Sequence, residues 1–233
     1  MSTFYRHTLD CPACGVATEV NLAKGLHITR LPEVRAEILA GTFQVFDCPA
    51  CGARAAVEAR TVYTDFDRRQ YVAVEPGPTA DWAEARRLAV EVFDAAFTFG
   101  PPVAEELAGN MRCRLVFGMR SLREKLLIWD AGLDDRVVEA LKADWLRRRG
   151  LELHAEVLRV VAVHEGGHIL LARFDPAPPL PEGVIAVQRA AAVLGFETFL
   201  GAQYERRLSL ARQISGDYPF LQDPWVVDVY ANA

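Results

Sequence analysis

Two identical pentapeptides carry the chemistry that is easiest to read in this chain: Cys11-Pro12-Ala13-Cys14-Gly15 and Cys48-Pro49-Ala50-Cys51-Gly52. Thiols at positions i and i+3 can turn towards one ion, and two such pairs supply the four ligands of a tetrahedral zinc. Proline fixes φ at the second position, and glycine permits a left-handed residue after the second thiol. Backbone N–H groups in that turn can donate to the sulfurs and favour the thiolate. The residues point to one structural zinc held by Cys11, Cys14, Cys48 and Cys51. Four protein ligands leave no position for a reacting water, so a catalytic zinc is not expected. CPxC pairs also serve thioredoxin-like oxidoreductases, where the pair opens a helix after a strand. Here each pair runs into glycine and a strand-like segment, which disfavours redox chemistry.

His164-Glu165-Gly166-Gly167-His168 matches the HExxH pattern of zinc hydrolases. That chemistry needs a helix, which turns both histidines towards one ion and places the glutamate as general base. The flanks, AEVLRVVAV and HILLARFDP, are rich in β-branched and apolar residues. Two adjacent glycines cost a helix about 2 kcal/mol relative to alanine, whereas Glu-Gly-Gly suits a hairpin turn. A third ligand has no motif, although Glu197, 29 residues after His168, has a feasible spacing. The expectation is a hairpin with His164 and His168 flanking its turn. A zinc-dependent hydrolase using HEGGH 164–168 is the alternative.

Other polar groups read as structure. Asp65 and Asp67 suit a turn. Asp134 and Asp135 suit a helix cap. Arg147, Arg148 and Arg149 suit a solvated helix C-terminus. Cys113 reads as a small core residue. His7, His27 and His154 are isolated and assign nothing.

These groups need elements to position them. FYRHTL and VATEVNL read as strands around the first knuckle, and TFQVFD leads into the second. LPEVRAEILAG reads as a helix started by Pro32 and stopped by Gly41. ARAAVEARTVYT and RRQYVAVEP read as two strands about a turn at 64–67. EPGPT at 75–79 marks a boundary. Asp81 and Glu84 have cap spacing for a helix carrying Trp82, Leu88, Ala89, Val92, Phe93 and Ala96, ended by Gly100-Pro101-Pro102. A short helical turn, VAEELAG, comes next. MRCRLVFG alternates as a strand with one buried face. SLREKLLIWDAG and DRVVEALKADWLRRR follow as helices. DPAPPLPEG reads as a rigid loop, 199–213 as helical, and PWVVDVY as a strand.

Several stretches together resemble the CpXC domain family, named for its paired CPxC motifs. They are CPACG at 11–15, EILAG at 37–41, FDCPACG at 46–52, YTD at 63–65 with RRQYVAV after it, and LVFGMRSLREKLLIWDAGLDD at 115–135. The likeness extends over about residues 6–145. It implies a mostly bacterial family that binds metal through these cysteines and whose function is uncharacterised.

The expected fold class is α+β. An N-terminal zinc-ribbon-like sheet with an inserted helix, residues 1–76, precedes a C-terminal α/β region, residues 79–233. Net charge is -5 and pI about 5.6, which disfavours broad nucleic-acid or membrane-surface binding. Residues 1–75 hold eight Lys and Arg against nine Asp and Glu. Zinc with four thiolates adds about two negative charges, so a nucleic-acid-binding ribbon is a secondary reading. The N-terminal sequence lacks an apolar leader, and no apolar run approaches the roughly 20 residues of a membrane span. The composition therefore suggests the cytoplasm. The favoured reading is a non-enzymatic interaction module that meets another protein, with no small-molecule substrate identifiable.

Overall fold

The structure is a computed structural model that describes residues 2–77, 81–97, 102–152, 156–176, 186–189, 193–209, 219–228 and 230. The elements in chain order begin β1 (Thr3–Asp10), β2 (Ala17–His27), α1 (Pro32–Ala40), β3 (Val45–Asp47), β4 (Arg54–Glu58), β5 (Thr61–Asp65) and β6 (Gln70–Glu75). Next come α2 (Trp82–Phe97), α3 (Pro102–Ala108), β7 (Arg112–Phe117), α4 (Met119–Asp130) and α5 (Asp135–Arg148). The chain closes with β8 (Val157–His164), β9 (His168–Phe174), β10 (Ala186–Arg189), β11 (Val193–Phe199) and α6 (Gly201–Ser209). The fold class is α+β, as the alternating sequence patterns imply. Two compact units divide the chain: Met1–Met119 with Pro179–Ala190, and Arg120–Pro178 with Ala191–Ala233.

The first unit holds a five-stranded sheet ordered β1-β2-β5-β6-β7 and a three-stranded sheet ordered β10-β4-β3. In the larger sheet β2 pairs β5 in parallel and β6 pairs β7 in parallel; its other two ladders are antiparallel. β6 is buried at all six positions, which fits its place between two neighbours. α2 covers it with an apolar stripe, Ala85, Ala89, Phe93 and Phe97. The Phe93 ring meets Tyr71 edge-on at 4.9 Å, an arrangement that suits the ring quadrupoles. Asp81 accepts from the Glu84 backbone N–H at 2.9 Å, so α2 starts where its cap spacing places it.

α1 runs from Pro32 to Ala40 and stops at Gly41, which takes φ 73°. The Thr42 N–H returns to the Glu37 carbonyl at 2.9 Å, closing the helix end. One expectation changes here. ARAAVEARTVYT is two strands rather than one, because β4 and β5 belong to different sheets with a break at Ala59-Arg60. A continuous β pattern cannot reveal that switch. β7 also departs from simple alternation: Arg114 is buried beside Leu115, Val116 and Phe117.

In the second unit, β11-β9-β8 form an antiparallel sheet. α4 ends near Gly132 (φ 70°), and Asp134 caps α5 by accepting from the Arg136 N–H at 2.9 Å. α5 is buried from Val137 to Leu146. Residues 223–228 form bends and irregular chain, not the strand that PWVVDVY suggested. Their backbone and side-chain groups bond to side chains and local turns instead of a ladder, as Asp223 shows by accepting from the Trp225 and Val226 N–H groups. Part of the expected linker (78–79), the end of the α2 stretch (Gly100 and Pro101), most of the Pro-rich loop (177–183), His154 and residues 210–213 lie outside the described residues.

Candidate metal centre

Each CPACG joins two antiparallel strands. Asp10 pairs with Ala17 across the first, and Asp47 pairs with Arg54 across the second. The two turns are bonded alike. The Gly15 N–H donates to the Cys11 carbonyl at 2.9 Å, and the Gly52 N–H to the Cys48 carbonyl at 2.8 Å. The Cys11 N–H reaches the Val16 carbonyl at 3.0 Å, and the Cys48 N–H the Ala53 carbonyl at 2.9 Å. Gly15 (φ 73°) and Gly52 (φ 70°) adopt the left-handed conformation this turn requires. A β-carbon there would strain the knuckle and misdirect the second thiol.

The hairpin tips bring the four sulfurs to within 4.8 Å of one another, although 33 residues separate the pairs in sequence. Cys11 Sγ lies 3.8 Å from Cys51 Sγ, and Cys14 Sγ lies 3.7 Å from Cys48 Sγ. The first thiol of each pair is buried and the second exposed. The strands that carry the knuckles also share a buried cluster of Leu9, Leu22 and Val57, completed by Ala59 just after β4, with Phe46 packed against it. The Ala13 N–H donates to Cys11 Sγ at 3.4 Å. Cys48 is lowered to about 6 by the backbone N–H groups of Ala50 and then Cys51. Cys14 is held up to about 12; the Val16 N–H opposes the rise, and the neighbouring Cys51 sulfur and desolvation outweigh it. A bound cation would favour the thiolate at all four. Four soft donors in this cluster are chemically suited to a metal ion.

HEGGH lies on a different kind of scaffold. His164 ends β8, His168 begins β9, and the two face each other as the last pair of an antiparallel ladder. Residues 165–167 make a single tight turn with Gly166 at φ 75° and Gly167 at φ 71°. The helix that would place a general base beside two histidine ligands is not formed. Glu197 lies on β11 and is engaged elsewhere: it accepts from Trp145 Nε1 at 3.3 Å and from Arg149 at 3.2 Å.

The remaining candidates divide. Asp65 is more than a turn residue: it is buried, accepts from the Arg68 N–H at 3.0 Å and lies 3.8 Å from Arg35 Nε. Asp134 is a cap, whereas Asp135 is buried 3.5 Å from Lys125 Nζ. Arg149 is not simply solvated; its guanidinium lies over the Trp145 ring at 4.3 Å. Cys113 is half-buried, and burial pushes its thiol up to about 11.

Sequence reasoning missed a buried ionic network in the second unit. Lys142 Nζ contacts Glu124 at 2.7 Å and Glu139 at 2.9 Å. Glu139 also meets Lys125 at 3.0 Å, and Arg159 bridges Glu124 (3.0 Å) and Asp228 (2.9 Å). On α4 and α5, Glu124, Lys125, Glu139 and Lys142 look like an ordinary charged face. No local signal says that face is covered.

An α+β fold gathers two cysteine knuckles at hairpin tips into a four-thiol cluster that could hold a metal ion. A family model described as CpXC protein matches residues 9–142, and the chain belongs to that family. No curated protein and no solved structure matches the chain. Among the described residues no helix is long and apolar enough to cross a membrane.

Proposed function

We propose that Cys11, Cys14, Cys48 and Cys51 hold one structural zinc ion, and that the protein is a non-enzymatic interaction module whose partner is another protein. The sulfur spacing carries the first part. A tetrahedral site with Zn–S near 2.3 Å has sulfurs about 3.8 Å apart. The 3.8 Å and 3.7 Å separations agree with that edge. Two hairpins meeting at such an ion make a zinc-ribbon-like module, in which the metal ties the β1–β2 hairpin of the larger sheet to the β3–β4 hairpin of the smaller one. Four thiolates complete the coordination, which supports a structural ion over a catalytic one. Reduced, metal-ligating thiols favour a cytoplasmic setting.

Elemental analysis of the purified protein tests the site. About one zinc per chain is expected, lost in Cys11→Ser and kept in His164→Ala. A second zinc that depended on His164 would return the hydrolase reading. The interaction role is tested by pull-down with the full chain and with Cys11→Ser; a specific partner lost with the zinc supports it, and no partner with either counts against it. Nucleic-acid binding is the weaker reading, since residues 1–75 carry more acids than bases before four thiolates are added.

A further inference from the structure

A cleft of about 270 Å³ lies in the first unit, between the start of α1 and the turn after β5. Its lining combines apolar Ile28, Pro32, Ala36 and Leu39 with charged Arg35, Asp65, Asp67 and Arg68. An apolar body with a few convergent polar groups is the usual make-up of a small-molecule site, and the volume suits a small ligand.

The charged lining is built rather than incidental. Asp65 is fully buried beneath it and accepts from Arg68 through both the backbone N–H (3.0 Å) and the guanidinium (3.2 Å). Arg35 donates to the buried Tyr63 hydroxyl at 3.2 Å, and that hydroxyl lies 3.4 Å from Asp65 Oδ2. Tyr63 and Asp65 thereby hold two guanidinium groups at the cleft. The Arg35 side chain is only 11% exposed and Arg68 50%, so one cation is set deep and the other is half open to solvent. Two guanidinium groups share the one buried carboxylate, and exposed Asp67 brings the four charged lining groups to a formal net charge of zero, which disfavours any multiply charged anion.

We infer that this cleft binds a small organic monoanion, a carboxylate on a short branched apolar body, with Arg35 and Arg68 at its charged end and Pro32, Ala36 and Leu39 along its apolar end. Guanidinium recognises carboxylate through paired N–H donors, a geometry that lysine does not reproduce. The residues that line it are distinct from the four cysteines.

Isothermal titration calorimetry on the full, metal-loaded chain tests it, with 4-methylpentanoate, 3-methylbutylamine and inorganic phosphate as probes. Saturable binding of 4-methylpentanoate is expected, with no binding of the amine and weaker binding of phosphate. Arg68→Gln should weaken the carboxylate about tenfold or more, and Arg68→Lys less so. Removing Arg35 takes a partner from buried Asp65 and could unfold the region, so Ala36→Phe is the second variant. It fills the cleft from an exposed helix position and leaves the ion pairs intact; it should abolish binding while the circular dichroism spectrum is retained. The inference is overturned if the wild-type protein shows no saturable binding up to about 10 mM, if the amine or phosphate binds as well as the carboxylate, or if folded Ala36→Phe binds like wild type.

Discussion

Lys142 Nζ lies 2.7 Å from Glu124 Oε1 with both side chains wholly buried, α5 reaching α4 through an ion pair instead of an apolar contact. The pair is one link in the chain Lys125–Glu139–Lys142–Glu124–Arg159–Asp228. Desolvating such groups is costly, and their mutual contacts offset that cost only while every partner is present. Lys142→Met therefore leaves Glu124 and Glu139 short of a cation in the core. The expected loss is about 3–5 kcal/mol, read from the denaturant midpoint of the full chain. A loss under about 1 kcal/mol would show that water reaches the network.

The same network sets a pH window for the second unit. Glu124 and Asp228 are lowered from 4.5 and 3.8; burial alone would raise them, and Lys142 and Arg159 respectively lead the cations that outweigh it. Their contribution is complete above those ordinary values and is lost as pH falls through the depressed ones. Lys125 is raised from 10.5 to about 12, chiefly by Glu139 and Asp135 against its own burial. Its contribution is complete below 10.5 and fades as pH climbs through about 12. Melting temperatures measured against pH should form a plateau between these limits, with an acid limb that Asp228→Asn shortens. An acid limb unchanged in that variant would assign the loss to other groups.

Metal removal should act on the knuckles first. Chelation at neutral pH, or titration with a mercurial, is expected to release one metal per four reacting thiols and to lower the melting temperature. Cys113, half-buried and outside the four-cysteine cluster, should react at the same rate with and without chelator, whereas the four knuckle thiols should gain reactivity when the metal is removed. A thiol-reagent time course with and without chelator separates the two classes; five thiols reacting together in the intact protein contradicts the assignment.

Much of this architecture was legible because the relevant signals are local. The CPACG turns, the Gly41 stop, the Asp134 cap and the Glu-Gly-Gly hairpin each depend on residues within a few positions, and each has its expected geometry. The four-cysteine cluster was legible because two identical knuckles have few other uses. What could not be read depends on distant covering. Glu124 and Lys142 show helical spacing typical of a solvated face, and only the packing around them makes them core residues. Asp65 resembled turn chemistry because its partner Arg35 is thirty residues away. PWVVDVY has strand composition, but Val227 gives its carbonyl to Lys125 and Asp228 its carboxylate to Arg159, not to a ladder.

The hairpin at HEGGH is also fixed by a contact that no motif predicts. Gly201, at the start of α6, packs against the turn, where an added β-carbon would run into the Gly166 carbonyl oxygen. That atom is backbone within a tight turn whose glycines hold φ 75° and 71°, so it cannot swing aside as a side chain could. Gly201→Ala must displace either α6 or the turn. The expected cost is about 1–3 kcal/mol or somewhat more, the range for overpacking a closed contact. Gly150→Ala is the comparison, since a β-carbon there meets nothing within 4 Å and only its φ of 66° is strained. Denaturant unfolding of both variants tests the contact. A larger loss in Gly201→Ala than in Gly150→Ala ties the cost to the helix–turn approach, and equal losses would mean that the turn yields freely. Metal content should be unchanged in Gly201→Ala, because the HEGGH turn and the four-cysteine centre lie in different units.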